Sequence, residues 1–241
     1  MSGTIYGVGL GPGDPDLMSV RADRLLRNAR HVAFFRKPGR SGQARKIVNG
    51  MIPENAVEFP MEYPVTTEIP LTDPRYNELL AAFYEVCAAH LKALSDKGED
   101  VVVLCEGDPF FYGSFMHLYN RLRDVSDVEV VPAITGMSGA WTATGDPITW
   151  GDDILTVLAG TLSEDVLAQQ MAQTDALVVM KIGRNIDKVK RALKTAGLYD
   201  RAWIVEYAQM PNQRVCKLSE NCDGITPYFS IIIVHGQGRR P

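Results

Sequence analysis

The residues best suited to chemistry stand in one short segment, Glu106-Gly107-Asp108-Pro109, directly after an apolar run. Glu106 and Asp108 supply carboxylates that can accept hydrogen bonds or a proton. Gly107 lets a ligand or another backbone come close, and Pro109 cannot continue a strand ladder. An ordinary turn between a strand and a helix explains the same residues, because Gly, Asp and Pro are common in turns. The spacing alone leaves both interpretations open.

The apolar run that precedes this segment, residues 101–104, consists of Val, Val, Val and Leu without any polar alternation. Such a run is typical of a strand that is covered on both faces of a parallel sheet. Ligands of open α/β sheets bind just outside the carboxyl ends of the strands. We therefore expect a functional site in residues 106–112.

A glycine-rich loop, GVGLGPGDP at residues 7–15, follows another predicted strand and raises the possibility of dinucleotide binding. The dinucleotide fingerprint requires a third glycine where this chain has Pro12, and an acid about 20 residues further on. No acid occurs between Asp23 and Glu54. The loop therefore argues against a nicotinamide dehydrogenase and predicts a rigid turn that a ligand or a second domain could approach.

A basic segment follows the second predicted strand and contains no acidic residue. Its cations are Arg36, Lys37, Arg40, Arg45 and Lys46. One interpretation is a solvated loop and helix face, and the other is a binding edge for a small polyanion. Because the net charge of the chain is −4, local contacts rather than a long-range field would have to bind such a ligand, and arginine can hold carboxylates in bidentate fashion.

Composition is ordinary for a globular protein: the chain has 241 residues, of which 46% are hydrophobic and 22% charged. The negative net charge argues against a general nucleic-acid or anionic-membrane binder. We expect no bilayer-spanning segment and no signal peptide, and the cysteine pattern described next is typical of a cytoplasmic protein. Cys87, Cys105, Cys216 and Cys222 form no CxxC pair, so we expect reduced thiols.

The clearest helix is predicted over residues 76–94, where apolar residues recur at steps of three and four and should form a core stripe. The stripe comprises Tyr76, Leu79, Leu80, Phe83, Tyr84, Cys87, Leu91 and Leu94. Further strands are predicted from Ile154 onward as a second sheet. The polar tail, residues 236–241, is expected to fray.

Five motifs occur in order along the chain: GVGLGPGDP, EGDPFFYGSFM, VVPAITG, VVMKIGRN and EYAQMPNQRV. Each is weak alone, but together they resemble the tetrapyrrole methyltransferase family, the precorrin and uroporphyrinogen-III methylases, over nearly the whole chain. The resemblance implies two α/β domains of the tetrapyrrole methylase type (class III SAM methyltransferases), with S-adenosyl-L-methionine (SAM) in the interdomain cleft. It places a tetrapyrrole trough in residues 1–132 and the remainder of the SAM site in residues 133–241. A homodimer is also implied, and no protein metal centre is.

The resemblance also implies roles for individual residues. Ile182 and Ala208 would flank the adenine through backbone groups, although many relatives carry Met and Gly there. Cofactor contacts would come from Pro12, Glu106, Gly107, Asp108, Phe111, Thr135, Gly136, Ile182 and Ala208. The basic segment would contact substrate carboxylates, and Glu106 and Tyr112 are the candidates for assisting loss of a proton.

The particular forms EGDPFFYGSFM and MKIGRN, with a Pro/Glu-rich segment before the long helix, specify the implied activity further. It is SAM-dependent methylation of precorrin-2 at C-20, giving precorrin-3A and S-adenosyl-L-homocysteine in cobalamin (vitamin B12) biosynthesis. The alternatives are another ring carbon, cobalt-factor II as substrate, and a diphthine-type methylase that modifies a protein. A binding module without catalytic activity is a further alternative, which no sequence feature favours.

Overall fold

The computed structural model describes residues 2–66, 69, 73–220 and 226–239. The chain divides into two compact units, Met1–Thr135 and Gly136–Pro241, whereas the sequence analysis drew the boundary after Pro132. Each unit combines a β-sheet with helices, which confirms the predicted α/β class. Across the described ranges, no helix is both long and apolar enough to cross a bilayer.

The first unit is built on a parallel sheet with the strand order β3-β2-β4-β1-β5. Its strands are β1 (Thr4–Gly9), β2 (His31–Arg36), β3 (Val57–Glu62), β4 (Val101–Cys105) and β5 (Asp127–Val131). All five residues of β4 are buried. The unbroken apolar run therefore marks a strand near the middle of a parallel sheet, as its sequence predicted.

Helices cover both faces of this sheet, and they are α1 (Val20–Arg27), α2 (Gln43–Ile47), α3 (Pro74–Ser95) and α4 (Phe115–Leu122). Val101, Val103 and Cys105 pack into one core with α3 and α4. Val102 and Leu104 pack into the opposite core with α1 and α2. Successive side chains of a strand point to opposite faces, so the lack of polar alternation in β4 follows from having a core on each side.

The predicted core stripe of α3 is wrong at Leu79. Tyr84, Cys87 and Leu91 are buried, but 44% of Leu79 is exposed. The face of α3 that contacts the sheet is centred on residues 84, 87, 88 and 91. Neighbouring residues of an α-helix are about 100° apart around its axis. Leu79, next to Leu80, therefore lies off that face.

The second unit has a mixed sheet with the strand order β6-β7-β10-β8-β9. Its strands are β6 (Leu155–Ala159), β7 (Ala176–Met180), β8 (Trp203–Glu206), β9 (Arg214–Lys217) and β10 (Ser230–Val234). Strands β6 and β7 are parallel, and the other pairs are antiparallel. The helices are α5 (Gly136–Ala143), α6 (Glu164–Met171), which the sequence analysis did not predict, and α7 (Ile186–Thr195).

The tail after β10 is held in place, so the prediction that it frays is wrong for residues 236–239. The Gly236 N–H donates to Ile148 O at 2.9 Å. The Gly238 N–H donates to Asp153 Oδ2 at 3.3 Å. A polar composition does not reveal these bonds, because both acceptors lie more than eighty residues away in sequence. The last two residues of the chain lie outside the described ranges.

The cysteines that the structure describes are free thiols. Burial raises the pKa of Cys87 to about 11. Burial likewise raises the pKa of Cys105, with the nearby carboxylates of Glu106 and Asp108 adding to the shift. Both thiols therefore remain protonated and poorly reactive near neutral pH. Cys222 lies outside the described residues.

The carboxyl end of β1 depends on the absence of a side chain at Gly9. A Cβ at this position would lie 2.6 Å from the Cβ of Ala133, and 2.9 Å from Gly107 O and Pro109 Cδ. None of these atoms belongs to a flexible side chain. Glycine is therefore required where β1 ends between the loops that follow β4 and β5.

We expect the substitution Gly9→Ala to destabilise the protein by about 1–3 kcal/mol, because an added methyl group must displace backbone and proline atoms. Gly136→Ala is the matched control, since the nearest atom to its Cβ, Ile231 Cδ1, is 3.8 Å away. Urea unfolding of both variants and of the parent chain measures the difference. Equal unfolding midpoints for Gly9→Ala and the parent would contradict the close approach.

Candidate functional site

The Gly-Asp-Pro loop after β4 is hydrogen-bonded to the glycine-rich loop after β1. The Leu10 N–H donates to Cys105 O, and the Gly107 N–H donates to Gly11 O, both at 2.9 Å. Gly107 has φ 64°, a conformation that favours glycine. The buried Pro12 follows Gly11 directly. The structure thus brings together the first two motifs, including the predicted residues Pro12, Glu106, Gly107 and Asp108.

Asp108 ties the Gly-Asp-Pro loop to the chain that leaves β5. Its Oδ1 accepts the Phe110 N–H at 2.9 Å. Its Oδ2 accepts the Ala133 N–H at 3.0 Å. The carboxylate therefore has a structural role, and it retains lone pairs for further donors because a carboxylate offers about four acceptor positions.

Glu106 connects the same loop to the basic segment. Its Oε1 accepts the Ala44 N–H of α2 at 3.0 Å. Desolvation raises the pKa of the Glu106 carboxyl above its ordinary value, and the hydrogen bond from Ala44 acts in the opposite direction. By surface area the residue is exposed, so water reaches the side chain and the desolvation is partial. Glu106 is thus a solvent-accessible carboxyl with increased basicity.

The aromatic residues after the Gly-Asp-Pro turn lie side by side. The rings of Phe111 and Tyr112 are 4.9 Å apart between centroids in an edge-to-face arrangement. Tyr112 is 42% exposed, and it adopts φ 56°. Its phenol is therefore accessible to a ligand, while its backbone adopts a conformation that is unusual for a residue with a Cβ.

In the second unit, the predicted site residues lie at the start of α5 and after strands β7 and β8. Gly136 is the first residue of α5, directly after Thr135. Ile182 is fully buried, and its carbonyl accepts the Asn185 N–H at 2.7 Å. Ile182 lies between Lys181 at φ 55° and Gly183 at φ 40°.

Ala208 lies in the loop between β8 and β9 and is only 8% exposed. Its methyl group belongs to a core cluster with Ala140 of α5 and Val205 of β8. Within the described part of the chain, no hydrogen bond uses the N–H or the C=O of Ala208. Nearly buried backbone groups are almost always paired. Such unpaired groups fit a ligand that is recognised through the backbone.

Left-handed backbone conformations mark the predicted site residues. Among the described residues, the non-glycine positions with positive φ are Tyr112, Lys181, Tyr207 and Gln209. Each is adjacent to Phe111, Ile182 or Ala208, which are predicted cofactor contacts. Conformations of this kind cluster at ligand sites because the surrounding structure must enforce them. Hydrophobic periodicity does not reveal them, so the sequence analysis missed this signal.

The basic segment is partly neutralised by β3. Arg36 forms an ion pair with Glu62 at 2.7 Å. Arg45 donates two parallel hydrogen bonds to Glu58, at 2.9 and 2.8 Å. The sequence analysis missed both acids because they follow the segment by more than ten residues. The parallel register, which pairs Arg36 with Glu62, brings one of them alongside.

Three cations of the segment stay exposed: Lys37, Arg40 and Lys46. None of them takes part in an ion pair within the described ranges. Lys46 also lines a cavity of about 500 Å³, whose other lining residues are Phe34, Arg36, Ser41, Arg45, Asn49 and Glu58. Ser41 and Asn49 are polar lining residues that the sequence analysis did not select. This cavity and the three exposed cations could bind carboxylate groups.

Comparison with known proteins agrees with the resemblance inferred from the five motifs. The family model described as Tetrapyrrole (Corrin/Porphyrin) Methylases matches residues 4–221. The chain is 47% identical to precorrin-2 C(20)-methyltransferase from Sinorhizobium sp over 243 aligned residues, covering 99% of this chain and 98% of that protein. It is 29% identical to cobalt-precorrin-2 C(20)-methyltransferase from Salmonella typhimurium (strain LT2), covering 98% of each.

A solved structure shares the fold. Uroporphyrin-III C-methyl transferase from Thermus thermophilus, complexed with S-adenyl homocysteine, aligns with a TM-score of 0.68 at 24% identity, covering 96% of this chain and 97% of that one. The family model spans all the residues that carry the five motifs, and the Sinorhizobium relative aligns along nearly its full length. The chain therefore belongs to the tetrapyrrole (corrin/porphyrin) methylase family.

Proposed function

We propose that the protein transfers a methyl group from SAM to C-20 of precorrin-2, giving precorrin-3A in cobalamin biosynthesis. The observation that carries the proposal is the 47% identity, along almost the whole of both chains, to a precorrin-2 C(20)-methyltransferase. Identity to the relative that acts on cobalt-precorrin-2 is lower, at 29%. This difference favours metal-free precorrin-2 over cobalt-factor II. Both relatives are named as C(20)-methyltransferases, which favours C-20 over another ring carbon.

The chain offers groups that fit SAM. The N–H and C=O of Ala208, which pair with no other described residue, suit recognition of the adenine together with the backbone of Ile182. Gly107, Asp108 and Phe111 suit the ribose and methionine parts. The other proposed contacts are Pro12, Glu106, Thr135 and Gly136. SAM, when bound, supplies a methyl group on a sulfonium, so the carbon is electrophilic without further activation.

The role of the protein is then to position the substrate, exclude water and accept a proton. Correct positioning of two reactants can supply up to about 7–11 kcal/mol of the barrier. Glu106 is the proposed proton acceptor, because its raised pKa makes the carboxylate a stronger base. The Ala44 N–H engages Oε1, which fixes the orientation of the carboxylate. Tyr112, whose ring is accessible, is the second candidate.

The tetrapyrrole carries eight carboxylates, and we propose that the basic segment binds some of them. Lys37, Arg40 and Lys46 are exposed, so they can reach a ligand without breaking an ion pair. Arg36 and Arg45 belong to the same proposed site but share their charge with Glu62 and Glu58. The three exposed cations should therefore contribute most of the attraction.

The resemblance to the family also leads us to infer a homodimer in the cytoplasm. Reduced thiols are expected in that compartment, and the free, buried Cys87 and Cys105 agree with it. Light scattering on the purified chain would determine the oligomeric state, and fractionation of the source cells would determine the location.

Methyl transfer can be tested directly with purified protein, SAM and either precorrin-2 or its cobalt form. We expect a mass gain of one methyl group on precorrin-2, which labelled-carbon NMR should locate at C-20. A gain on the cobalt form alone would change the substrate, and a label at another carbon would change the assigned position. Heat-denatured protein is the control.

Reversing two exposed charges should weaken substrate binding. We expect Lys37→Glu with Arg40→Glu to raise KM for the tetrapyrrole about tenfold, from the loss of two surface attractions and the added repulsion. The dissociation constant of SAM should stay within about twofold of its original value. Arg24→Glu is the control, because Arg24 is an exposed cation of the same unit outside the basic segment. Equal effects on KM and on SAM binding would contradict the assignment.

Removing the carboxylate of Asp108 should affect both stability and cofactor binding. Asp108→Ala leaves the N–H groups of Phe110 and Ala133 without their acceptors, so we expect a loss of about 1–3 kcal/mol in unfolding free energy. SAM affinity should also fall, as titration calorimetry on the folded variant can measure. Asp175→Ala removes a carboxylate from the Ile154 N–H and should lower stability alone. Unchanged SAM affinity in Asp108→Ala would limit Asp108 to its structural role.

A further inference from the structure

The loop between β8 and β9, residues 207–213, has a backbone that its sequence does not favour. Tyr207 has φ 51° and Gln209 has φ 60°, on either side of Ala208. Left-handed conformations are disfavoured for residues with a Cβ because the Cβ crowds the carbonyl oxygen. They persist only where the surrounding structure enforces them. The loop must therefore contain contacts that hold Ala208 in this orientation.

Two glutamine side chains make those contacts. The Gln209 N–H donates to Gln213 Oε1 at 2.7 Å. The Gln209 Nε2 donates to the carbonyl of Gly139 in α5 at 3.0 Å. One bond fixes the backbone directly after Ala208, and the other attaches the loop to the helix that begins at Gly136. Gln209 therefore links two segments that are proposed to contact the cofactor.

Neither side chain is needed to pair the two strands. Glu206 faces Arg214 in the β8–β9 register. The loop also has its own backbone bonds, from Met210 N–H to Tyr207 O at 2.9 Å and from Gln213 N–H to Met210 O at 3.0 Å. The glutamine side chains thus act on the conformation around Ala208 rather than on the formation of the hairpin. Gln213 is exposed, so its side chain does not pack in the core.

We propose that Gln209 and Gln213 are positioning residues, which hold the N–H and C=O of Ala208 in place for the adenine end of SAM. The inference rests on the proposed function, in which Ala208 contacts the cofactor. Gln213 supplies an acceptor that an alanine lacks, and Gln209 supplies a donor that reaches α5. The pair pre-organises the backbone, which lowers the ordering cost of binding.

The test measures SAM and S-adenosyl-L-homocysteine binding by titration calorimetry. We expect Gln213→Ala and Gln209→Ala each to raise the dissociation constant about fivefold, the effect of one lost hydrogen bond. Gln213→Glu keeps an oxygen acceptor and should bind within about twofold of the parent chain. Gln209→Gly tolerates the left-handed backbone but lacks the amide, so it should bind as weakly as Gln209→Ala. Gln169→Ala, on the exposed face of α6, is the control.

Two further measurements separate positioning from a general loss of structure. The KM for the tetrapyrrole should not change at saturating SAM, and hydrogen exchange should accelerate in residues 207–213 only. Because Gln213 is exposed, its variants test the inference even if Gln209→Ala fails to fold. Unchanged dissociation constants in both alanine variants would overturn the inference while leaving the proposed function in place. Failure of the parent chain to bind SAM would overturn both.

Discussion

The fit between Gly9 and its neighbours is the constraint on which the first unit depends. Three parallel strands, β4, β1 and β5, end side by side, and the space between their ends has no room for a Cβ at Gly9. This close approach lets the loop after β1 bond to the loop after β4. It also brings Asp108 within reach of the Ala133 N–H after β5. The orientation of the Asp108 carboxylate is therefore a result of backbone packing.

The second unit fixes its candidate site by other means. Its left-handed site positions include residues with side chains, Lys181, Tyr207 and Gln209, beside Gly183. Hydrogen bonds that use the side chains of Gln209 and Gln213 hold the loop after β8, together with the packing of Ala208 against Ala140 and Val205. Substitution of a side chain such as Gln213 can adjust a site gradually. At Gly9, by contrast, any added side chain meets backbone and proline atoms. The two units therefore differ in how much sequence change their site loops can accept.

Local sequence was sufficient for the features that arise from local causes. The apolar run of β4, the long helix α3 and the turn at Gly107 each follow from neighbouring residues, and the structure confirms them. The exposure of Leu79, the docking of the tail and the pairing of Arg36 with Glu62 depend on residues that are distant in sequence. No periodicity or turn signal contains that information. The roles of the site residues came from the family resemblance, and those assignments remain predictions.

The pairing of the basic segment with acids of β3 has a consequence for how the folded chain resists edge-to-edge strand pairing between molecules. Among the described strands, β3 is an outer strand of its sheet, and an outer strand can serve as a template for a strand of another molecule. Pro60 removes one N–H donor from β3, as edge strands tolerate. Glu58 and Glu62, held in ion pairs on either side of Pro60, add charge that an incoming strand would have to desolvate. The acids that pair with Arg45 and Arg36 thereby also make this edge a poor starting point for aggregation.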